Sequence, residues 1–225
     1  GVAVAGAVGP RLAANPDRAG AGDLLSRGLR FGAVVYLPLA AVLAVISPTL
    51  VPGLLGEDFA DGGYVLAALA PYIALLGVAP VLSSAIDYLG VGRIRKWLAF
   101  GALAINVVLD LILIPPFGVI GPAIATNVAA ISYVAGMFWV GARELDLDFR
   151  SLWRSAVRAL AAAALGAGAA LVALAVWPDP GLAASLLAGT LGLALSALVL
   201  WALHELPTSA AREMLAFAGG RRVAR

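Results

Sequence analysis

Asn106 and Asp110 stand four residues apart in a stretch that has almost no other polar side chain, NVVLDLILIPPFGVIGPAIATN at 106–127, and Thr126 and Asn127 close it. Residues four apart share one face of a helix, so an amide and a carboxylate are presented together. Such a face can grip a neighbouring helix by hydrogen bonds, or it can line a path for a cation or a proton. Both roles are open for Asn106, Asp110 and Asn127. Arg93, Arg95 and Lys96 come just before on the same run and suit an anionic group, Arg93 foremost. Covalent chemistry has little to work with. The chain has no Cys and one His, His204, which excludes thiolate nucleophiles and argues against a His-built triad or metal cluster. No catalytic residue, metal site or cofactor is expected.

The elements that must position these groups follow from composition. Of 225 residues 62% are hydrophobic and 12% charged, against about 25% charged in a soluble domain. So few charges cannot cover a water-facing surface; a lipid-facing one needs none. Six apolar runs, about 31–52, 63–86, 97–114, 121–142, 157–177 and 181–203, approach the roughly 20 residues a membrane helix needs. None alternates as a barrel strand would. The expected fold is all-α: a polytopic membrane bundle of six complete transmembrane helices plus the end of a preceding one. That end is GVAVAGAVGP at 1–10, too short to cross and expected to be the tail of a severed helix in a C-terminal fragment. Pro115, Pro116, Gly118 and Gly121 mark the connection at 115–120 as a tight turn, with proline ending the helix. That turn is expected to set Asp110 level with Thr126 and Asn127.

The connections alternate in charge. All fifteen basic residues fall in segments 11–30, 90–96, 143–158 and the tail, while the turns at 53–62, 115–120 and 178–180 carry none. The positive-inside rule puts the basic segments and the C-terminus in the cytoplasm of a multi-pass plasma-membrane protein. Residues 15–30 read as the start of an interfacial helix, and RELDLDFRSLWRSAVR at 143–158 as an amphipathic surface stretch or a solvated linker. Asp87 is expected to pair locally, and His204 and Glu205 to sit at the interface. Pro38, Pro48, Pro71 and Pro80 permit kinks; Ala162, Gly166 and Ala170 form a small-residue ridge for helix packing. The spread of basic residues without grouped aromatics argues against nucleic acid.

The stretch GRIRKWLAFGALAINVVLDLILIPPFGVIGPAIATN at 92–127 resembles the C-terminal part of polysaccharide-export flippases. These are the O-antigen-translocase type within the superfamily that also holds MATE antiporters and the lipid II flippase. The resemblance rests on Gly92-Arg93, Asn106, Leu113-Ile114-Pro115, Gly118, Gly121 and Ala123-Ile124-Ala125-Thr126. LVPGLLGEDFADGG and Gly9-Pro10-Arg11-Leu12 extend it over about residues 1–160.

The resemblance implies twelve or fourteen helices in two six-helix lobes with both termini cytoplasmic. Residues 1–142 would belong to the C-terminal lobe, and 143–225 would supply two further helices and a cytoplasmic tail. It further implies a transporter, not an enzyme, that flips a lipid-linked oligosaccharide from the cytoplasmic to the outer leaflet. The partners are then the missing N-terminal lobe, membrane lipid, the lipid-linked substrate and a coupling cation or proton. A MATE-type cation-coupled exporter of drugs or metabolites, or a lipid II flippase-like protein, is the alternative. The family has a neutral residue near position 110, so Asp110 takes no role from it.

Overall fold

The computed structural model describes residues 18–144, 147–178 and 180–205. The expectations for residues 1–17 and for the arginine-rich tail lie outside the described residues. All the described elements are helical.

The first helix, α1 (Arg18–Leu55), is 38 residues long, about 57 Å at 1.5 Å per residue. It joins the expected interfacial segment and the first membrane run without a break, so its N-terminal turns stand clear of a hydrocarbon core of about 30 Å. The second apolar run departs from the expected single helix. It becomes three pieces, α2 (Ala60–Ala68), α3 (Ala70–Leu75) and α4 (Ala79–Tyr88). Pro71 and Pro80 each open one of the later pieces, where proline's missing N–H costs least. These pieces descend antiparallel to α1. Gly63 lies against Ser47 and Pro48, and Gly77 against Gly32. At the second crossing a Cβ on Gly77 would stand 2.6 Å from the Gly32 carbonyl oxygen. Only glycine lets the two backbones come so near.

Helices α5 (Gly92–Phe117) and α6 (Gly121–Glu144) form an antiparallel hairpin. Pro115 and Pro116 do not end α5 but ride in its last turn. The chain reverses only at Gly118, whose positive φ of 53° is open to glycine at no steric cost. No residue of α5 is buried, and Phe100, Leu103, Val107 and Leu111 are exposed along it.

Helices α7 (Phe149–Ala175) and α8 (Leu182–Ala202) pack on the opposite side of α1. Ala162, Gly166 and Ala170 are buried there, and Gly166 meets Gly192 and Ser196 of α8. The Ser196 hydroxyl donates to the Ala162 carbonyl at 3.0 Å. Three layers hold α1, α7 and α8 together. Thr49 and Ser185 hydroxyls bond at 2.7 Å; Val42, Ala170 and Ala188 pack below them; Val34, Ala159, Ala162 and Leu200 come next. A separate core joins Leu25 and Leu29 of α1 to Leu82 and Ile86 of α4 and Met137 of α6.

Among the described residues four helical stretches are long and apolar enough to cross a membrane: Gly20–Leu55, Gly92–Glu144, Phe149–Ala175 and Leu182–Ala202. The second is the hairpin and supplies two passes, and the broken α2–α4 run supplies the remaining one. The alternating charge pattern has a geometric counterpart. Arg30, Arg95 and Arg158 belong to one end of the bundle, whereas Gly53 packs against Leu182 at the other.

Candidate functional site

In a regular helix the Tyr72 N–H would donate to the Ala68 carbonyl four residues back. Here the side-chain amide of Asn127 stands between them. Its Nδ2 donates to the Ala68 oxygen at 2.7 Å, and its Oδ1 accepts from the Tyr72 N–H at 2.9 Å. The ladder continues on both sides, Leu69 N–H to Val65 O and Ile73 N–H to Leu69 O, each at 3.0 Å. One side chain from α6 therefore splices a bent pass and holds α2, α3 and the hairpin in one register.

Asn106 of α5 reaches the hairpin partner more weakly, with its Nδ2 3.5 Å from the Thr126 hydroxyl. Together they face an open, mostly apolar cleft of about 390 Å³ between α3, α5 and α6, with Tyr72, Leu76 and Tyr133 among its walls. This pairing corrects the expected register. Thr126 lies opposite Asn106, not Asp110, and Gly121 packs on the Leu113 carbonyl. Asp110 therefore stands level with about residues 122–124. The two pairings centre the hairpin near residues 116–117, earlier than the point near 118 that would set Asp110 level with Thr126. Asp110 is half-buried, and its Oδ1 is shielded from solvent without a hydrogen-bond partner among the described residues. Asn127 points toward the broken pass instead. Arg93 is exposed at the start of α5, away from the other three. Asp87 pairs with Arg95 at 3.0 Å rather than with Arg93.

A second polar cluster was not legible from the sequence. Beyond α8, His204 adopts φ 56°, the left-handed conformation that ends a helix. Its N–H donates to Trp201 O and the Glu205 N–H to Leu200 O, both at 3.0 Å. That cap turns the Glu205 side chain inward at this end of the bundle. Arg158 donates to one carboxylate oxygen at 2.7 Å; Ser155 at 2.8 Å and Arg30 at 3.2 Å donate to the other. The Glu205 side chain is only 2% exposed, so α1, α7 and the end of α8 are locked by one carboxylate. Burial pushes that carboxyl upward, but the hydrogen bonds from Arg158, Ser155 and Arg30 outweigh it and hold it below the usual glutamate range. Among the described residues no group of His and acidic side chains could hold a metal ion.

Apolar passes, a spliced break and inward polar groups define a multi-pass helical membrane protein, not a water-soluble bundle. A family model described as "Lipid II flippase MurJ" matches residues 1–192, and the chain belongs to that family. It is thus a flippase-family protein for a lipid-linked precursor, within the superfamily that the sequence resembles. The matching model is that of the lipid II branch, which stood above as an alternative. Searches of curated proteins and of solved structures gave no match.

Asn127→Leu should destabilise the chain by about 1–3 kcal/mol, the cost of leaving the Ala68 carbonyl and the Tyr72 N–H unpaired within a membrane pass. Asn106→Ala should cost well under 1 kcal/mol, since its bond is long. Thermal unfolding in detergent measures both, and amide exchange at Tyr72 should rise only in the Asn127 variant. For Glu205 the folded-state pKa is depressed, so its stabilisation is fully present above the unfolded value of about 4.3. It is lost as pH falls through the lower, folded value. The melting-temperature gap between wild type and Glu205→Gln should therefore be constant from pH 6 to 8 and close only in acid below about pH 4.3.

Proposed function

We propose that this chain is part of a transporter that carries lipid II from the cytoplasmic to the outer leaflet, with its basic end in the cytoplasm. The observation that carries this reading is the family match over residues 1–192. The substrate would keep its lipid tail in the bilayer while its hydrophilic head crosses against protein. No bond is made or broken, so the activity is transport and not catalysis. The broken second pass supports it. Irregular backbone at membrane depth is tolerated only against protein or a water-filled cavity, and a pass of three short pieces can bend where a continuous helix cannot.

Asp110 is the group proposed to sense the driving ion. A carboxylate inside a membrane span costs about 2.5–3.5 kcal/mol at the bilayer centre, and one of its oxygens is buried without a partner. A cation or proton arriving there would satisfy that oxygen. Asn106 and Thr126, a turn away on facing helices, offer neutral oxygens on the same hairpin.

Full-length protein in proteoliposomes should move lipid II, and Asp110→Asn should slow it by about tenfold or more, a barrier change of roughly 1.4 kcal/mol, and remove its ion dependence. Wild-type rate with ion dependence intact would leave Asp110 a packing role. Movement of a lipid-linked oligosaccharide in preference to lipid II would restore the polysaccharide-export reading. The chain has no cysteine, so single Arg93→Cys and Asp58→Cys variants report orientation. An impermeant maleimide added to cells should label the second and not the first.

A further inference from the structure

At the basic end, α1, α7 and the segment after α8 close on a polar cavity of about 260 Å³ whose walls include Arg30, Arg150, Arg154, Arg158, Ser155 and Glu205. Four guanidinium groups face it, with two carboxylates, Glu205 and Asp148. Glu205 takes Arg30 and Arg158, and Asp148 is occupied as the N-cap of α7, accepting from the Ser151 N–H at 3.0 Å. Arg150 and Arg154 have no ion-pair partner among the described residues, and both are exposed. Arg150, Arg154 and Arg158 repeat every four residues along one face of α7. Like charges at that spacing repel, so the arrangement is locally unfavourable unless an anion bridges it. The first turn of α7 adds its own positive end.

The shape of the surroundings says from which side that anion comes. α7 has 27 residues, about 40 Å, against a hydrocarbon thickness of about 30 Å. Its first turns therefore stand at headgroup level. Trp153 and Val157 follow Arg150 and Arg154 by three residues each and are 71% and 44% exposed. Leu160, 53% exposed, continues the strip down the helix. An indole at headgroup level with an aliphatic strip below it is a surface for a lipid, not for a soluble anion. Guanidinium forks match phosphate oxygens pairwise.

We propose that this pocket binds the phosphate of an anionic phospholipid from the leaflet at the basic end. Arg150 and Arg154 contact the phosphate, Trp153 and Val157 line the first part of the chains, and the Glu205-centred wall fixes the cavity. Glu205 lies beyond residue 192, where the family match ends. The inference needs only the membrane-spanning placement of α7, so it stands or falls apart from the substrate assigned above.

The test is equilibrium binding by the full chain in neutral detergent, with phosphatidylglycerol, phosphatidylcholine and inorganic phosphate as separate probes. Phosphatidylglycerol should bind at least about tenfold more tightly than phosphatidylcholine, as expected for charge-assisted bonds from two arginines. The preference should weaken with salt. Arg150→Gln with Arg154→Gln should abolish it at unchanged melting temperature, because neither residue belongs to the Glu205 network. Arg150→Lys with Arg154→Lys keeps charge but loses the fork and should retain only part of it. Arg143→Gln, whose guanidinium sits over Trp139 at 3.9 Å, should leave it intact. Equal binding of both lipids, a preference surviving in the Gln pair, or inorganic phosphate competing at the same concentration as the lipid would each overturn the proposal.

Discussion

In hydrocarbon no water completes an unpaired N–H or C=O, so each backbone group must find a partner inside the protein. The architecture of this chain turns on how that demand is met at one place, the break between Ala68 and Tyr72. Proline 71 bends the second pass, and the bend separates a carbonyl from the amide that would have bonded it. Asn127 supplies both missing halves from a neighbouring helix. The bend and the hairpin are thereby one unit, since the break closes only when α6 stands at the right height. A second break, around Gly77, is spanned by tighter turns, Gly77 N–H to Ala74 O at 3.4 Å and Val78 N–H to Leu75 O at 3.0 Å, where the Gly77 backbone comes close to Gly32 of α1.

Helix α1 is the wall that this arrangement leans on. Its N-terminal third packs on α4 and α6 through Leu25 and Leu29, and its remaining length packs on α7 and α8 in stacked small-residue layers. Small side chains suit an interface in lipid, where close backbone approach and dispersion replace a hydrophobic drive. Helix α5 is the opposite case. It holds to α6 and presents bulky side chains outward along its length, as a helix facing lipid or another helical body must.

Much of this was readable from sequence because lipid imposes simple rules. Apolar run length marks the passes, and the alternation of arginine-bearing and arginine-free connections sorts the two ends. The i, i+4, i+8 ridge from Ala162 marks the packed face of α7. What escaped were the facts that depend on where distant residues meet. The hairpin register is set by where the two helices meet, Asn106 opposite Thr126 and Leu113 opposite Gly121, and the run of prolines and glycines at 115–121 does not by itself reveal that centre. That register leaves Asp110 about one turn away from Thr126. The break at Leu69 was foreshadowed by Pro71, but nothing local indicates that Asn127 completes it. Glu205 looks like a solvated end residue; only the left-handed His204 and two arginines from elements 175 and 47 residues away show otherwise.

Two carboxylates, Asp110 and Glu205, show how differently the same group is used. Glu205 is saturated: three donors converge on it, and a helix cap fixes its backbone. A charge so fully met holds elements together, and binding elsewhere has little leverage over it. Asp110 sits on the least packed helix, with one oxygen shielded and unanswered. An unanswered buried oxygen raises the energy of the resting arrangement, and whatever satisfies it shifts the balance between arrangements by the same amount. On the proposed function the Glu205 network fastens the arginine-walled end of the bundle, and the hairpin carries the carboxylate that would answer the driving ion. A membrane carrier needs both in one chain, a part that keeps its place in the bilayer and a part whose stability depends on what is bound.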